Sequence, residues 1–470
     1  MREIAPMTKL TPNERYEETM KVVDRLNGEE FQVGRARKMQ GYQLNDPVVK
    51  LSEKNVAYAK EGSLNFREAV KETVEFKDWV IVYSQGKNAK YDDNDADDLV
   101  DLIMDAAKAY KMKFSKPGFI TCDSNIKSWK EEIHNDITKN GKPQIIVLFL
   151  NNHEEKFYGP LKEFITCELK LPSQGIRRRT VSSKAKNTMS AASKIILQMN
   201  RKVGGVGWEV NRTDYFNKRS SMHGAFSISR GPKGYTLAFV GSVNNSFTKV
   251  YNQCIVGYPK KEDIPAADYQ AIFLGWAKSY VEENQDAPSM IMVYREGLSM
   301  AQVGAQVPRE LAALDVVIEK MGKRTKKVNY KPECVYIVVN TKINTRMFDS
   351  TEGYGSQGKF IPKLSNPASG SVIFDELSQE KRFDFHLAAQ KVTQGTCTPT
   401  HYTVVSCTSN IPQESLAQFT YEQCFNYPNW QGAVKVPAVL QCANKLSKLV
   451  GESIKKNVTE GEVTKSYYFL

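Results

Sequence analysis

The sequence has 470 residues, and at the usual size of about 100–200 residues per domain this length predicts two or three folded units. Hydrophobic residues make up 41% of the chain, enough for a sizeable core, yet apolar runs such as Gln144–Leu150 are far too short to span a membrane. The 65 Lys and Arg outnumber the 53 Asp and Glu and give a net charge of +12, which fits either a polyanionic partner or a lysine-rich solvated surface.

The start of the chain and its cysteines indicate the compartment. No long apolar stretch follows a basic start in the first ten residues, so no secretory signal is predicted. The 8 cysteines are scattered without zinc-finger spacing. We therefore expect reduced thiols in an intracellular protein, either cytoplasmic or nuclear.

In chain order, residues 1–75 are polar and mixed, and they contain one predicted helix, Pro12–Leu26. They are interpreted as a linker-like segment that packs on the rest of the chain. From residue 76 strands and helices alternate, which predicts a parallel sheet covered by helices on both faces. The predicted strands and helices are Trp79–Tyr83, Asp95–Tyr110, Gly118–Thr121, Ile126–Thr138, Gln144–Leu150 and Gly159–Cys167. Ligands of such sheets bind outside the carboxyl ends of the strands, which here points to Asn151–Lys162.

A second unit begins after the predicted helix Thr188–Lys202, which ends at the helix-stopping pair Gly204-Gly205. Three strands, a helix, a strand, a helix and a strand then come in the order of a ribonuclease-H-like fold. These elements are His223–Ser229, Tyr235–Val243, Lys249–Val256, Ala266–Glu283, Met290–Tyr294, Pro308–Met321 and Val335–Val339.

Several motifs in this second half resemble the Argonaute family, and specifically its Piwi clade. Phe383-Asp-Phe-His-Leu leads into Gln394-Gly-Thr and then Pro399-Thr-His-Tyr402, as in the Piwi pattern. Val293-Tyr-Arg-Glu-Gly-Leu-Ser299 and Thr341-Lys-Ile-Asn-Thr-Arg346 resemble two further family elements, and the chain ends in Tyr467-Tyr-Phe-Leu470. The resemblance covers roughly residues 76–470, in the family's order.

This resemblance implies an α/β architecture: a Rossmann-like MID domain with a parallel sheet over residues 76–202, followed by a ribonuclease-H-like PIWI domain over residues 203–470. The segment before residue 76 leaves no room for the N-terminal and PAZ domains of a full-length Argonaute. The chain is therefore expected to be either a truncated piece that starts in the linker or a natural short form made of MID and PIWI alone.

The resemblance also implies a pocket for the 5′-monophosphate of a small guide RNA. A phosphate dianion needs several converging donors, because one lysine in water holds it only weakly. The positions that match the family's stacking Tyr and its phosphate-binding Lys and Gln are Tyr158, Lys162, Gln174, Gln198 and Lys202. A Tyr and a Lys four residues apart are common on helix surfaces, but the complete set together with the apolar terminus predicts an intact pocket.

Gln198 matches the Piwi-type arrangement, whereas many other Argonautes have Lys at this position. In that arrangement a divalent cation, Mg²⁺ or Mn²⁺, is held partly by this Gln and by the C-terminal carboxylate, here that of Leu470. The metal takes the place of the missing positive charge beside the phosphate.

The family's RNA-cleaving site, by contrast, is expected to be degenerate. Two divalent cations about 4 Å apart require a set of carboxylates, usually completed by a His. The matching positions are Ser227, Glu262 (or Asp263), Glu296 and His401. Ser227 is neutral and Glu296 is one methylene longer than the usual Asp, so catalytic metals are expected to be absent or weakly bound. The alternative interpretation is structural: a small strand residue, surface carboxylates and a packed histidine.

Basic residues outside the pocket are predicted to lie along the RNA. Arg177 and Arg178, with Arg179 and the nearby Lys184–Lys186, could track guide phosphates, or they could form a solvated basic loop. Lys342 and Arg346 match a family element that lies along the nucleic-acid path.

These observations leave three possible functions. The first is a guide-dependent RNA-binding protein of gene silencing, of the piRNA type, that pairs its guide with complementary target RNA, does not cleave it, and depends on unidentified silencing or effector proteins. The second is an active, metal-dependent, guide-directed endoribonuclease. The third is a short MID–PIWI sensor that activates a partner effector. We favour the first.

Overall fold

The computed structural model describes residues 9–27, 39–52, 54–64, 66, 70–86, 89–181, 188–351, 363–374, 383–458 and 461–470, leaving out the side chains of residues 89–91, 300, 351 and 462. No helix in these ranges is long and apolar enough to cross a membrane. The main α-helices are α1 (Pro12–Leu26), α2 (Ala89–Ala109), α3 (Ile126–Asn140), α4 (Tyr158–Glu163), α5 (Thr188–Lys202), α6 (Ala266–Asn284), α7 (Met300–Arg324), α8 (Gln413–Gln423) and α9 (Ala438–Lys448).

The strands belong to four sheets. They are β1 (Tyr42–Gln43), β2 (Val48–Lys50), β3 (Val56–Tyr58), β4 (Trp79–Ser84), β5 (Gly118–Cys122), β6 (Ile145–Leu150), β7 (Ser173–Arg177), β8 (Glu209–Val210), β9 (Ser221–Gly231), β10 (Gly234–Ser242), β11 (Val250–Tyr258), β12 (Met290–Glu296), β13 (Glu333–Asn340), β14 (Asp349–Thr351), β15 (Lys363–Ser365), β16 (Ser371–Phe374), β17 (Asp384–Ala388) and β18 (Thr400–Cys407).

The first large sheet is parallel, with the strand order β5-β4-β6-β7. Strands β4 and β6 are buried along their whole length, because helices cover both faces and leave no place for polar side chains. Helices α2 and α5 pack on one face, and α3 and α4 pack on the other. This confirms the predicted Rossmann-like arrangement.

At the carboxyl end of β6, the segment to which the ligand rule points begins with a 3₁₀-helix, Asn152–Phe157. Asn151 and Glu154 form a capping box, and the Glu154 carboxylate is fully buried. It accepts hydrogen bonds from the Asn151 backbone at 3.0 Å, from Ser124 Oγ at 3.0 Å and from Ser84 Oγ. These donors make the turn rigid and set the direction of α4.

The second large sheet has the strand order β1-β16-β17-β18-β13-β12-β9-β10-β11. Strand β12 runs parallel to both β9 and β13, and the remaining pairs are antiparallel. Helices α6 and α7 cover one face, while α9 packs on β9 and β10 at the other. This is the predicted ribonuclease-H-like order. One continuous apolar cluster extends from the first sheet into the second.

The N-terminal segment contributes more than the predicted helix. Strand β1 pairs with β16 and extends the large sheet, and β2 lies between β3 and β8. Strands of two or three residues carry no detectable periodicity, so the sequence does not predict them.

Helix α7 begins at Met300, well before the predicted start at Pro308. Ser299 and Gln302 form a capping box that starts the helix there, and Val303 and Val307 are buried in its first turns. Burial of this apolar face outweighs the backbone hydrogen bond that Pro308 cannot make.

Candidate functional site

Two fully buried lysines meet at the start of β7. Lys162 Nζ, from α4, donates to the carbonyl oxygens of Ser173 at 3.0 Å and Tyr468 at 3.2 Å. Lys202 Nζ, from the last turn of α5, donates to the same Ser173 oxygen at 2.8 Å and to Gln174 Oε1 at 2.9 Å. The first sheet, α5 and the C-terminal segment thus converge on one cationic centre.

The charge of this centre is poorly compensated. Burial lowers the pKa of Lys162 to about 7. Burial, and then the neighbouring Lys162, hold the pKa of Lys202 well below its usual range. The oxygen acceptors of both ammonium groups are neutral. A dianion placed between them would favour both charged forms, so the pair is suited to binding a phosphate.

The other predicted pocket residues lie beside the lysines. Gln174 is buried, and its Nε2 donates to Gln198 Oε1 at 3.2 Å. Gln198 lies one helical turn before Lys202 on α5. The ring of Tyr158 packs over Gly175, where a Cβ atom would come within 2.8 Å of the tyrosine Cε2. The structure therefore brings all five predicted residues to β7 and its flanks.

The C-terminal segment closes the same site. Tyr467, Tyr468 and Phe469 are buried, and Leu470 packs partly buried against the core. Gln198 and the Leu470 carboxylate are oxygen donors of the kind that Mg²⁺ accepts. These residue types therefore fit a cation that both would bind. No contact joins the two residues in the described part of the chain, so their binding of one shared cation stays a prediction.

At the predicted cleavage site, Ser227 and Glu296 do lie together on adjacent strands. Ser227 Oγ donates to Glu296 Oε2 at 3.3 Å and lies 3.3 Å from Ser447 Oγ of α9. Ala225 and Tyr294, two residues earlier on the same strands, belong to the apolar cluster on the α9 side. Because side chains alternate along a strand, Ser227 and Glu296 face α9.

His401 does not join this group, which corrects its predicted position. Its neighbour Tyr402 points into the α9-side cluster and stacks on Phe385, so the His401 side chain points to the opposite face. There His401 Nε2 is 3.1 Å from Asp384 Oδ2, and its ring stacks on His386 at 4.4 Å. In the structure, His401 of β18 is the cross-strand neighbour of His386 on β17.

Among the described hydrogen bonds, none joins Glu262 to Ser227 or Glu296. Glu262 is exposed on the short 3₁₀ turn 261–263 and accepts a hydrogen bond from Gln302 Nε2 at 3.3 Å. Across the described ranges, no three His, Cys, Asp or Glu side chains are arranged to hold a metal ion. Beside Ser227, the described residues place one carboxylate, that of Glu296, and the hydroxyl of Ser447.

Helix α9 contributes side chains to this cluster that were not predicted from the sequence. Ser447 contacts Ser227, and Asn444 lies one turn earlier on the same helix. Asn444 Oδ1 is buried without a hydrogen-bond partner in the described part of the chain. Apolar periodicity could have predicted the helix, but not which strands it covers. Among the described residues, the side chains in contact with Ser227 are one carboxylate, Glu296, and one hydroxyl, Ser447.

The structure also corrects the role predicted for Arg178. Its side chain is buried, and Nη1 pairs with Asp92 at 2.5 Å and Asp95 at 3.5 Å while Nη2 donates to Ser84 O at 3.1 Å. These contacts hold the guanidinium between β4 and α2 beside the end of β7, although its Nε has no hydrogen-bond partner in the described part of the chain. The buried group cannot reach an RNA backbone.

The remaining basic residues of the predicted channel are more accessible. Arg177 is exposed and lies 3.3 Å from Glu155. Lys342 is exposed, and half-buried Arg346 donates to the backbone oxygens of residues 343 and 345 at 2.9 Å. Lys184–Lys186 lie outside the described residues.

Comparison with known proteins gives a consistent result. The Piwi domain profile matches residues 145–455. The chain is 29% identical to Protein argonaute-3 of Drosophila melanogaster over 483 aligned positions, covering 100% of this chain and 52% of that protein. It is 27% identical to Piwi-like protein 1 of Gallus gallus, covering 97% of this chain and 51% of that protein. The chain thus spans about half the length of these curated relatives.

Solved structures share the fold. The crystal structure of Drosophila Piwi superposes with a TM-score of 0.83 at 22% identity, over 100% of this chain and 63% of that one. A crystal structure of Kluyveromyces polysporus Argonaute with a guide RNA gives a TM-score of 0.77 at 16% identity, over 98% and 61% of the two chains.

Proposed function

This chain belongs to the Piwi-domain family of Argonaute-like proteins, and from that premise we propose that it binds a small guide RNA by its 5′-monophosphate and pairs it with complementary target RNA without cleaving the target. The observation that carries the first part is the convergence of Lys162 and Lys202 on Ser173 O. Two buried ammonium groups whose acceptors are all neutral oxygens favour an anionic ligand.

The chemistry of the site matches a terminal phosphate. Lys162 and Lys202 would exchange their carbonyl acceptors for phosphate oxygens, and the Gln174 amide would donate beside them. Tyr158, held over Gly175, would present its ring to the first base of the guide. A 5′-hydroxyl offers neither the charge nor the acceptor oxygens, so the site should select the phosphate.

We propose Mg²⁺ or Mn²⁺ as a partner of this phosphate, held by the Gln198 amide oxygen and the Leu470 carboxylate. When bound, the cation would supply positive charge beside the phosphate. Within the protein, Gln198 Oε1 would have to give up the hydrogen bond that it accepts from Gln174.

The absence of cleavage is proposed on the composition of the Ser227 site. One carboxylate, Glu296, faces Ser227, Ser447 and the helix that carries Asn444. Neutral oxygens cannot balance two divalent cations together with a phosphodiester. Gene silencing would then depend on partner proteins that the bound target recruits.

Titration with one RNA sequence carrying either a 5′-monophosphate or a 5′-hydroxyl tests the guide-binding proposal. At pH 7 we expect the phosphorylated RNA to bind at least about tenfold more tightly. Because the pKa of Lys162 is about 7, it is largely neutral at pH 9 and must take up a proton on binding. The preference should therefore fall between pH 7 and pH 9, by up to about tenfold per pH unit for each lysine that is recharged. Equal affinity for the two RNAs at pH 7 would contradict the proposal.

A further inference from the structure

A separate cavity of about 600 Å³ lies between the end of α5, the end of α6 and the C-terminal segment. It shares only Lys202 with the five residues of the phosphate site. The basic side chains that line it are Lys170, Arg201, Lys202, Lys249 and Lys465. This volume lies within the usual range of pockets that bind a small molecule the size of a nucleotide.

The carboxylates of the cavity are already paired. Glu282 lies 3.6 Å from Lys465, and Glu283 lies 2.5 Å from Lys249, so these two acids neutralise two of the lysines. The excess positive charge of the wall thus lies on its other side, with Arg201 and its neighbours on α5.

Arg201 is the residue that most clearly lacks a counter-charge. It is 6% exposed, and its guanidinium donates only to neutral groups, Gly205 O at 3.0 Å and Tyr467 Oη at 2.8 Å. Its Nε is buried without a hydrogen-bond partner, and no carboxylate within the described ranges comes within ion-pair distance of it.

The guanidinium of an arginine carries its positive charge in proteins whether it is exposed or buried. A buried charge without a partner is unfavourable, and a bound anion removes that cost. The Tyr467 ring, 4.1 Å from the guanidinium carbon, holds the group in place. The wall of the cavity is therefore preorganised around one permanent cation.

We propose that this cavity binds a compact organic polyphosphate, with Arg201 as the buried counter-charge that its phosphate oxygens contact. Arginine pairs with phosphate through two parallel hydrogen bonds, and this favours phosphate over a simple halide ion. Lys170, Lys202, Lys249 and Lys465 line the same cavity, and several phosphates on one small molecule would compete with Glu282 and Glu283 for the last two. The inference does not depend on guide binding, because Arg201, the counter-charge on which it rests, is not one of the five residues of the guide-phosphate site.

Isothermal titration of the full chain with two probes, inositol hexakisphosphate and ATP, tests this at about 0.15 M ionic strength, where exposed charges are screened. We expect saturable one-to-one binding of at least one probe. If the inositol phosphate binds, the cavity recognises several phosphates clustered on one molecule. If only ATP binds, the cavity recognises a nucleotide.

Two matched variants locate the bound probe. Ser279 lines the cavity from α6, so S279E places a negative charge inside it. Lys278 is exposed and does not line the cavity, and K278Q changes the net charge of the protein by the same amount. S279E should weaken binding by at least about tenfold, and K278Q should leave it within about twofold. No saturable binding of either probe, or binding that S279E leaves unchanged, overturns the proposal.

Discussion

Replacing Lys162 with Met is expected to weaken the binding of 5′-phosphorylated RNA by about 10- to 150-fold, and to leave the binding of 5′-hydroxyl RNA within about twofold. This range corresponds to about 1.5–3 kcal/mol for a hydrogen bond to a charged group. Methionine keeps the length of the side chain and removes a fully buried amine, so the fold should be retained. Fluorescence anisotropy with the two forms of one RNA measures both affinities.

Lys156→Met is the matched control for this prediction. Lys156 lies six residues before Lys162 and carries the same charge, but it is exposed on the 3₁₀-helix Asn152–Phe157 and is not part of the phosphate site. Its loss should reduce the affinity for both RNAs equally and only slightly, through general electrostatics. If the two variants reduced the affinity for the phosphorylated RNA to the same extent, Lys162 would have no specific role.

The second large effect is expected at Ser227. The double variant Ser227→Asp with Asn444→Asp adds one carboxylate beside Glu296 and a second one helical turn before Ser447. We expect it to bind Mn²⁺ at least about 100-fold more tightly than the natural chain. Electron paramagnetic resonance of free Mn²⁺ measures this binding. The natural chain, loaded with a guide, should leave a matched target intact in Mg²⁺ or Mn²⁺.

Ser227→Asn is the neutral control, because it adds nearly the same volume without charge and should bind Mn²⁺ no more tightly than the natural chain. Two outcomes would contradict a degenerate cleavage site: Mn²⁺ binding by the natural chain at this site, and guide-directed cleavage that is lost in Glu296→Ala. Either would mean that the cluster around Ser227 is a working catalytic centre of unusual composition.

Much of the fold is encoded in local sequence. Strand β6 is a run of six apolar residues, and helix α5 has the predicted bounds Thr188–Lys202, because burial on both faces or along one helical stripe leaves a clear pattern. The five residues of the phosphate site were predicted in another way. The resemblance to the Argonaute family implied the set, and the spacing supported it, because Tyr158 and Lys162, like Gln198 and Lys202, lie four residues apart on a helix.

Contacts between distant segments were not predictable in this way. Arg178 pairs with Asp92, which lies 86 positions away, so the basic run 177–179 looked uniformly accessible in the sequence. His401 illustrates the limit of a motif match, because a shift of one residue along a strand changes the face of the sheet. Which face of the sheet α9 covers, and therefore that Ser447 contacts Ser227, depends on packing between segments more than 200 positions apart.

The binding of a small RNA by its 5′-phosphate is tested most directly by purifying this chain from its own cells and determining the 5′ chemistry of the RNA that accompanies it. We expect small RNAs of uniform size that carry a 5′-monophosphate. A well-folded protein that carries no small RNA, or RNA whose 5′ ends lack the phosphate, would contradict guide binding at this site.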